Sequence, residues 1–247
     1  MLGALALICA CATSCASVRA SHLRAEPWSD GFTAQADDAW QWSPSAALAV
    51  AVPLAFALDD EVERAAEQHA YVTGGDTAWG DALTLALGLG SLGYAWYGEA
   101  GAQRAEAAAE ALLATAATTQ LLKAVLARDR PSGSSNNSFP SGHTSFAFAG
   151  AAVFARTIEQ QTGSRLGYLA FAPALYVGIN RVEAERHWPS DVAFGALLGT
   201  VLTNWIWNAH FGDGEREAIF ATKARTTWRI EPCVDDERCL VGVTWSW

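Results

Sequence analysis

The sequence has no Walker loop, no H-E-x-x-H and no G-x-S-x-G, which removes any motif basis for P-loop nucleotide hydrolysis, zincin chemistry or a serine nucleophile elbow. Cations are scarce: Lys and Arg total 16 against 26 Asp and Glu, a formal net charge of -10. Such a chain repels a polyphosphate backbone unless its cations are gathered in one place, so nucleic acid is not an expected partner. Charged residues make up only 17% of the 247, while 51% are hydrophobic. That excludes a disordered chain and points to one domain with short appendages. Long apolar runs are also missing, and only 192–212 reaches the about 20 residues that a membrane span needs. No internal repeat or low-complexity tract is present.

Residues 2–18 carry no charge, with an apolar stretch from Leu2 to Ala10 followed by small residues. This is the pattern of an export signal, with cleavage near Ala16 or lipid attachment at Cys15 or Cys11 as the two outcomes. Export changes how Cys233 and Cys239 are read, since they flank the polar turn Val234-Asp235-Asp236-Glu237-Arg238. In an oxidising compartment a hairpin disulfide Cys233–Cys239 is expected. No His or second cysteine pair lies nearby, so zinc is not expected there.

Six uncharged stretches rich in Ala and Leu, 46–58, 82–98, 111–122, 144–155, 166–180 and 192–212, predict six helices. Ser43-Pro44 and Ser141-Gly142 read as helix starts and Arg130-Pro131 as a stop. Beyond Gly212 apolar residues alternate from Cys239 to Trp247, which predicts a half-buried strand in a two-stranded hairpin. The expected fold is all-α, a six-helix bundle with a short C-terminal β-hairpin. Its division is 1–16 signal, 17–45 lead-in, 46–212 helical domain and 213–247 tail.

Three segments concentrate chemistry. In the first, Lys123 and Arg130 are seven residues apart, which on one continuous helix puts both cations on nearly one face. In the second, Ser141 is an expected N-cap, Gly142 permits close backbone approach, and His143 stands beside the helix amides that bind anions. In the third, Arg181 precedes His187 by six and Asp191 follows it by four, an offset at which a carboxylate can fix one ring nitrogen and free the other. Five of the 16 cations, Lys123, Arg128, Arg130, Arg181 and Arg186, lie in or beside two of these segments, as an anion site requires. Arg128 and Arg186 are expected to pair locally, with Asp129 and with Glu183 or Glu185. The acidic run Asp59-Asp60-Glu61-Val62-Glu63, with Glu67 and His69, is expected to be a solvated face.

Together the segments resemble the superfamily of type 2 phosphatidic acid phosphatases and vanadium haloperoxidases, whose signatures are K-x6-R-P, P-S-G-H and S-R-x5-H-x3-D. The matching residues are Lys123, Arg130, Pro131, Pro140, Ser141, Gly142, His143, Arg181, His187 and Asp191, in that order. Asn180 stands where the family usually has Ser, a departure that bears on how Arg181 is positioned. The resemblance implies a metal-independent acid or lipid phosphatase without cofactor, acting on a phosphomonoester or diphosphate, above all a phosphorylated lipid. It implies that His187 attacks phosphorus to form a phosphohistidine while Asp191 holds its imidazole. His143 then protonates the leaving oxygen, and Lys123, Arg130, Arg181 and the backbone at Ser141-Gly142 neutralise the phosphoryl oxygens. A vanadium-dependent haloperoxidase and a non-catalytic envelope protein are the alternatives.

The expected location is a bacterial cell envelope, periplasm-facing and in contact with a membrane surface, with an integral membrane protein as the alternative. The acidic break 59–81 would otherwise fall in the cytoplasm, against the positive-inside tendency. The sequence leaves the oligomeric state open.

Overall fold

The computed structural model describes residues 39–68, 73, 75–211, 229–235 and 238–244. Six α-helices lie among them: α1 (Ala39–Gln68), α2 (Ala78–Trp96), α3 (Gly101–Leu126), α4 (Gly142–Thr162), α5 (Phe171–Glu183) and α6 (Pro189–His210). A 3₁₀ turn, Arg165–Ala170, leads into α5. The expected export signal at 1–16, the lead-in up to residue 38 and His69 lie outside the described residues, as do Trp245 and Trp247.

Each expected helix is present, but the charged flanks are helical too. α1 runs through Ser43-Pro44 and Pro53 and on through the acidic run, so Ser43-Pro44 is not its start. α3 stops at Leu126, four residues before Arg130. The reason is Ala127, which takes the left-handed conformation (φ 42°) and caps the helix by donating its N–H to Lys123 O at 3.2 Å. A non-glycine residue held there is strained by roughly 1–2 kcal/mol.

α4 is the centre of the bundle and packs against α2, α3, α5 and α6, while α6 also packs against α1 and α3. Small residues make this possible. Ala147, Ala149, Ala151, Ala152 and Ala155 of α4 are all buried, and glycines bring the backbones together. A Cβ on Gly199 would lie 2.2 Å from Ser145 O, and one on Gly150 would lie 2.3 Å from Leu87 O. Two apolar clusters complete the core, one around Leu87, Phe148 and Val177 and the other around Val153, Trp207 and Phe211. At the far end His210 Nε2 meets Glu110 Oε2 of α3 at 2.8 Å, a partner that sequence spacing did not supply.

Because the helices alternate in direction, the α1–α2, α3–α4 and α5–α6 connections share one end of the bundle. They are stitched together there: Trp188 Nε1 donates to Asp129 O at 2.9 Å and Ser132 N to Glu185 O at 3.4 Å. Asn180 Nδ2 donates to Asp76 O at 2.6 Å.

In the tail, Arg229–Asp235 and Arg238–Thr244 are paired antiparallel, with Asp235 opposite Arg238. This register sets Cys233 opposite Leu240 and Cys239 opposite Val234, so neither cysteine is the other's direct partner. The side chains of these strands lie outside the described residues.

Candidate active site

A cleft of about 360 Å³ opens at the stitched end of the bundle, lined by Lys123, Arg130, Asn137, Gly142, His143 and His187 together with Thr84, Thr119, Gln120, Ser145 and Phe146. Residues from all three sequence segments therefore converge. Lys123 occupies the last turn of α3, but Arg130 lies in the following loop, so the single helical face expected for the pair is not what joins them. The loop folds back instead: Lys123 Nζ donates to the carbonyls of Asn137 and Ser138, and Arg130 Nε donates to Asn137 Oδ1 at 3.1 Å.

The second segment opens α4. Ser141 sits at the N-cap position but makes no side-chain cap bond; its buried hydroxyl bonds to Thr144 Oγ1 at 2.9 Å. Ser141 thus braces the turn and is absent from the cleft lining, while Gly142 and His143 face it. Within α4 the amides of Gly142, His143 and Thr144 have no carbonyl four residues back, which leaves donors for an anion. A Cβ on Gly142 would touch Thr119 and Lys123 at 3.6 and 3.7 Å, so glycine there keeps the cleft floor open and is not demanded by packing.

His187 is buried, and its Nδ1 faces Asp191 Oδ2 at 3.7 Å, a loose ion-pair distance. Its backbone N–H reaches Arg181 O at 3.2 Å, which ties the third segment into a closed loop. Glu185, in the left-handed region (φ 52°), turns the chain within that loop. With Nδ1 toward the carboxylate, Nε2 is the nitrogen left for chemistry. Burial first, then Lys123 and Arg130, push the His187 pKa below the ordinary imidazole value, opposed by Asp191. These effects favour the neutral ring, the form in which an imidazole can act as a nucleophile.

Asp191 is fully buried at the third position of α6 and is densely bonded. Oδ2 accepts from Trp188 N at 2.9 Å, the backward half of a capping box, and from the Ser138 hydroxyl; Oδ1 accepts from Arg128 at 2.7 Å. Burial alone would raise its pKa, but His187, Ser138, the Trp188 amide and Arg128 outweigh that and hold it down.

Two expectations about charge are corrected here. Arg128 does not pair with Asp129; it bridges Asp59 at 2.8 Å and Asp191 at 2.7 Å, over the rings of Phe56 and Trp188. Nor is the acidic run wholly a solvated face, because Asp59 is 5% exposed and faces this network. Sequence reasoning missed it for want of any local signal: its partner lies 69 positions away.

Asp81 was also missed. At the start of α2 it contacts His143 Nε2 at 3.1 Å and Arg181 Nη1 at 2.9 Å. Arg181 is buried, and its guanidinium also donates to Thr77 O at 3.1 Å and to Asn180 Oδ1. Asn180, where the family usually has Ser, thus braces the arginine against α2. Burial and then Arg181 depress the His143 pKa, while Asp81 opposes them.

The cations repel one another. Lys123 is pushed down to about 8 by burial and by Arg130, and Arg130 is pushed down by burial, Arg186 and Arg181. A half-buried cluster of like charge beside open helix amides is a site for an anion.

Comparison with known proteins adds a partial sequence match. The PAP2 superfamily model matches residues 106–215. Over that segment, less than half of the chain, the sequence is similar to the PAP2 superfamily. The chain is similar to lipid A 1-phosphatase of Porphyromonas gingivalis (41% identical, over 35% of this chain and 20% of the relative). It is also similar to probable diacylglycerol pyrophosphate phosphatase 1 of Schizosaccharomyces pombe (33%, over 30% of each) and to bacitracin transport permease protein BcrC of Bacillus licheniformis (42%, over 30% and 34%). The matched part thus spans a fifth to a third of these relatives. No solved structure matches. The segment matched by the PAP2 model contains all three motifs but begins inside α3, so Asp59 and Asp81 are supplied by helices outside it.

Proposed function

We propose that the chain is a phosphatase that hydrolyses a phosphorylated lipid, either a phosphomonoester or a diphosphate, through a phosphohistidine on His187. The observation that carries this reading is the convergence of Lys123, Arg130, His143, His187 and the α4 amides on one cleft. His187 Nε2 attacks phosphorus as the bond to the leaving oxygen breaks, and His143, in the protonated form that Asp81 favours against burial and the nearby cations, gives that oxygen its proton. Water then attacks the phosphohistidine; His143 takes up the proton, the P–N bond breaks, and phosphate leaves with His187 restored. Lys123, Arg130, Arg181 and the amides at Gly142 stabilise the equatorial oxygens, each charge-assisted bond contributing about 1.5–3 kcal/mol. The relatives named as phosphatases of lipid A and of diacylglycerol pyrophosphate support a lipid as substrate.

An envelope enzyme at a membrane surface fits the outside of the bundle, where Leu54, Trp79, Leu89, Trp96, Leu113 and Leu121 are all exposed. None of the described helices is long and apolar enough to cross a membrane. Attachment through a lipidated cysteine or through this apolar surface, on the periplasmic side, completes the reading.

The test is phosphate release from a panel of lipid phosphates and soluble esters by purified protein. Turnover that persists in excess chelator and is blocked by vanadate supports the reading. Turnover that stops with chelator and returns with a divalent metal overturns the mechanism.

A further inference from the structure

Arg128 is held between two carboxylates from different helices. Nη2 donates to Asp59 Oδ2 of α1 at 2.8 Å, and Nη1 donates to Asp191 Oδ1 of α6 at 2.7 Å. Ser190 closes a ring: its hydroxyl accepts from Arg128 Nη1 at 2.7 Å and donates to Asp59 Oδ2 at 2.6 Å, while its backbone N–H donates to Asp59 Oδ1 at 2.9 Å. Asp59 therefore caps the first turn of α6 from another helix, where a carboxylate is favoured by the open amides. Asp191, one residue after Ser190, is carried by the same turn.

The charges matter as much as the bonds. Arg128 alone opposite Asp191 would make a neutral pair, with little left to stabilise positive charge on His187. Adding Asp59 makes the part-buried unit net negative and divides the arginine between two carboxylates. We propose that Asp59 is a positioning residue for the phosphoryl-transfer site, holding Arg128 and the start of α6 so that Asp191 keeps its orientation and its negative charge toward His187. The inference rests on the proposed role of His187, and it reaches a residue outside the segment matched by the PAP2 model.

The test is an NMR titration of the His187 imidazole in the full chain, which needs no substrate, with steady-state kinetics beside it. His187 is faced by Asp191 from α6, Lys123 from α3, Arg130 from the α3–α4 loop and His143 from α4, and none of these changes in the variants. Asp59→Asn leaves Arg128 unbalanced, so the His187 midpoint should fall by about half a pH unit or more. kcat should drop about tenfold with KM nearly unchanged. Asp59→Glu, which keeps the charge, should restore the midpoint. If Asp59→Asn does not fold, Arg128→Gln carries the test with the opposite sign, since loss of the cation should raise the midpoint. A His187 midpoint that stays put in a folded Asp59→Asn or Arg128→Gln variant overturns the proposal, whatever happens to activity. A protein with no phosphatase activity but a coupled His187 titration would instead count against the functional reading alone.

Discussion

One carboxylate holds two groups of the cleft together: Asp81 Oδ1 stands 3.1 Å from His143 Nε2 and 2.9 Å from Arg181 Nη1. It is the contact that raises the His143 pKa against burial, Arg181, His187 and Lys123. Asp81→Asn should therefore lower that pKa further, and the acid form of His143 will be lost at a lower pH. The alkaline limb of kcat/KM on a lipid phosphate should move down by about half a unit or more, with the acid limb in place. An alkaline limb that does not move would show that Asp81 has no hold on the general acid.

The motif residues were legible because their spacing is local. His187 and Asp191 are four residues apart, His187 just before α6 and Asp191 in its first turn, and Gly142-His143 open a helix, so sequence alone placed them. The six helices were legible from uncharged stretches, but their ends were not. Ala127 ends α3 by adopting a left-handed conformation that its residue type disfavours, and Pro53 lies within α1. Asp59 and Asp81 were illegible for a different reason. A carboxylate in an acidic chain looks solvated until a partner many positions away engages it, burying Asp59 and leaving Asp81 half exposed, and only the packing of α1 and α2 supplies that partner.

Lys123 gives a prediction about stability as well as activity. Its folded pKa of about 8 lies below the ordinary lysine value of 10.5, so the charged lysine opposes folding below pH 8 and stability rises with pH between about 8 and 10.5. Lys123→Met should lower kcat/KM by roughly 10²–10³ while leaving the melting temperature at pH 7 equal or higher. Vanadate should raise the melting temperature of the wild type but not of the variant. A clear fall in the melting temperature of the free variant would mean that the bonds to Asn137 and Ser138 outweigh the cost of the charge.

The close approach of α4 and α6 should not tolerate a methyl group. In Gly199→Ala the Cβ would lie 2.2 Å from Ser145 O and 2.9 Å from Ala149 N, both backbone atoms. The helices must separate, with an expected loss of about 1–3 kcal/mol in denaturant unfolding. Because α4 carries His143 and α6 carries Asp191, activity should fall in the variant at temperatures where it remains folded. Unchanged stability would show that the backbones are farther apart than described.

The central claim is that phosphate passes through His187. Wild-type protein mixed with a substrate bearing a good leaving group should be quenched in alkali within the first turnovers, digested, and mapped by mass spectrometry. The account predicts a phosphoryl group on His187 that survives base and is lost in acid, and no such species in His187→Ala. A phosphoryl group on another residue, or one that still forms in His187→Ala, would contradict it.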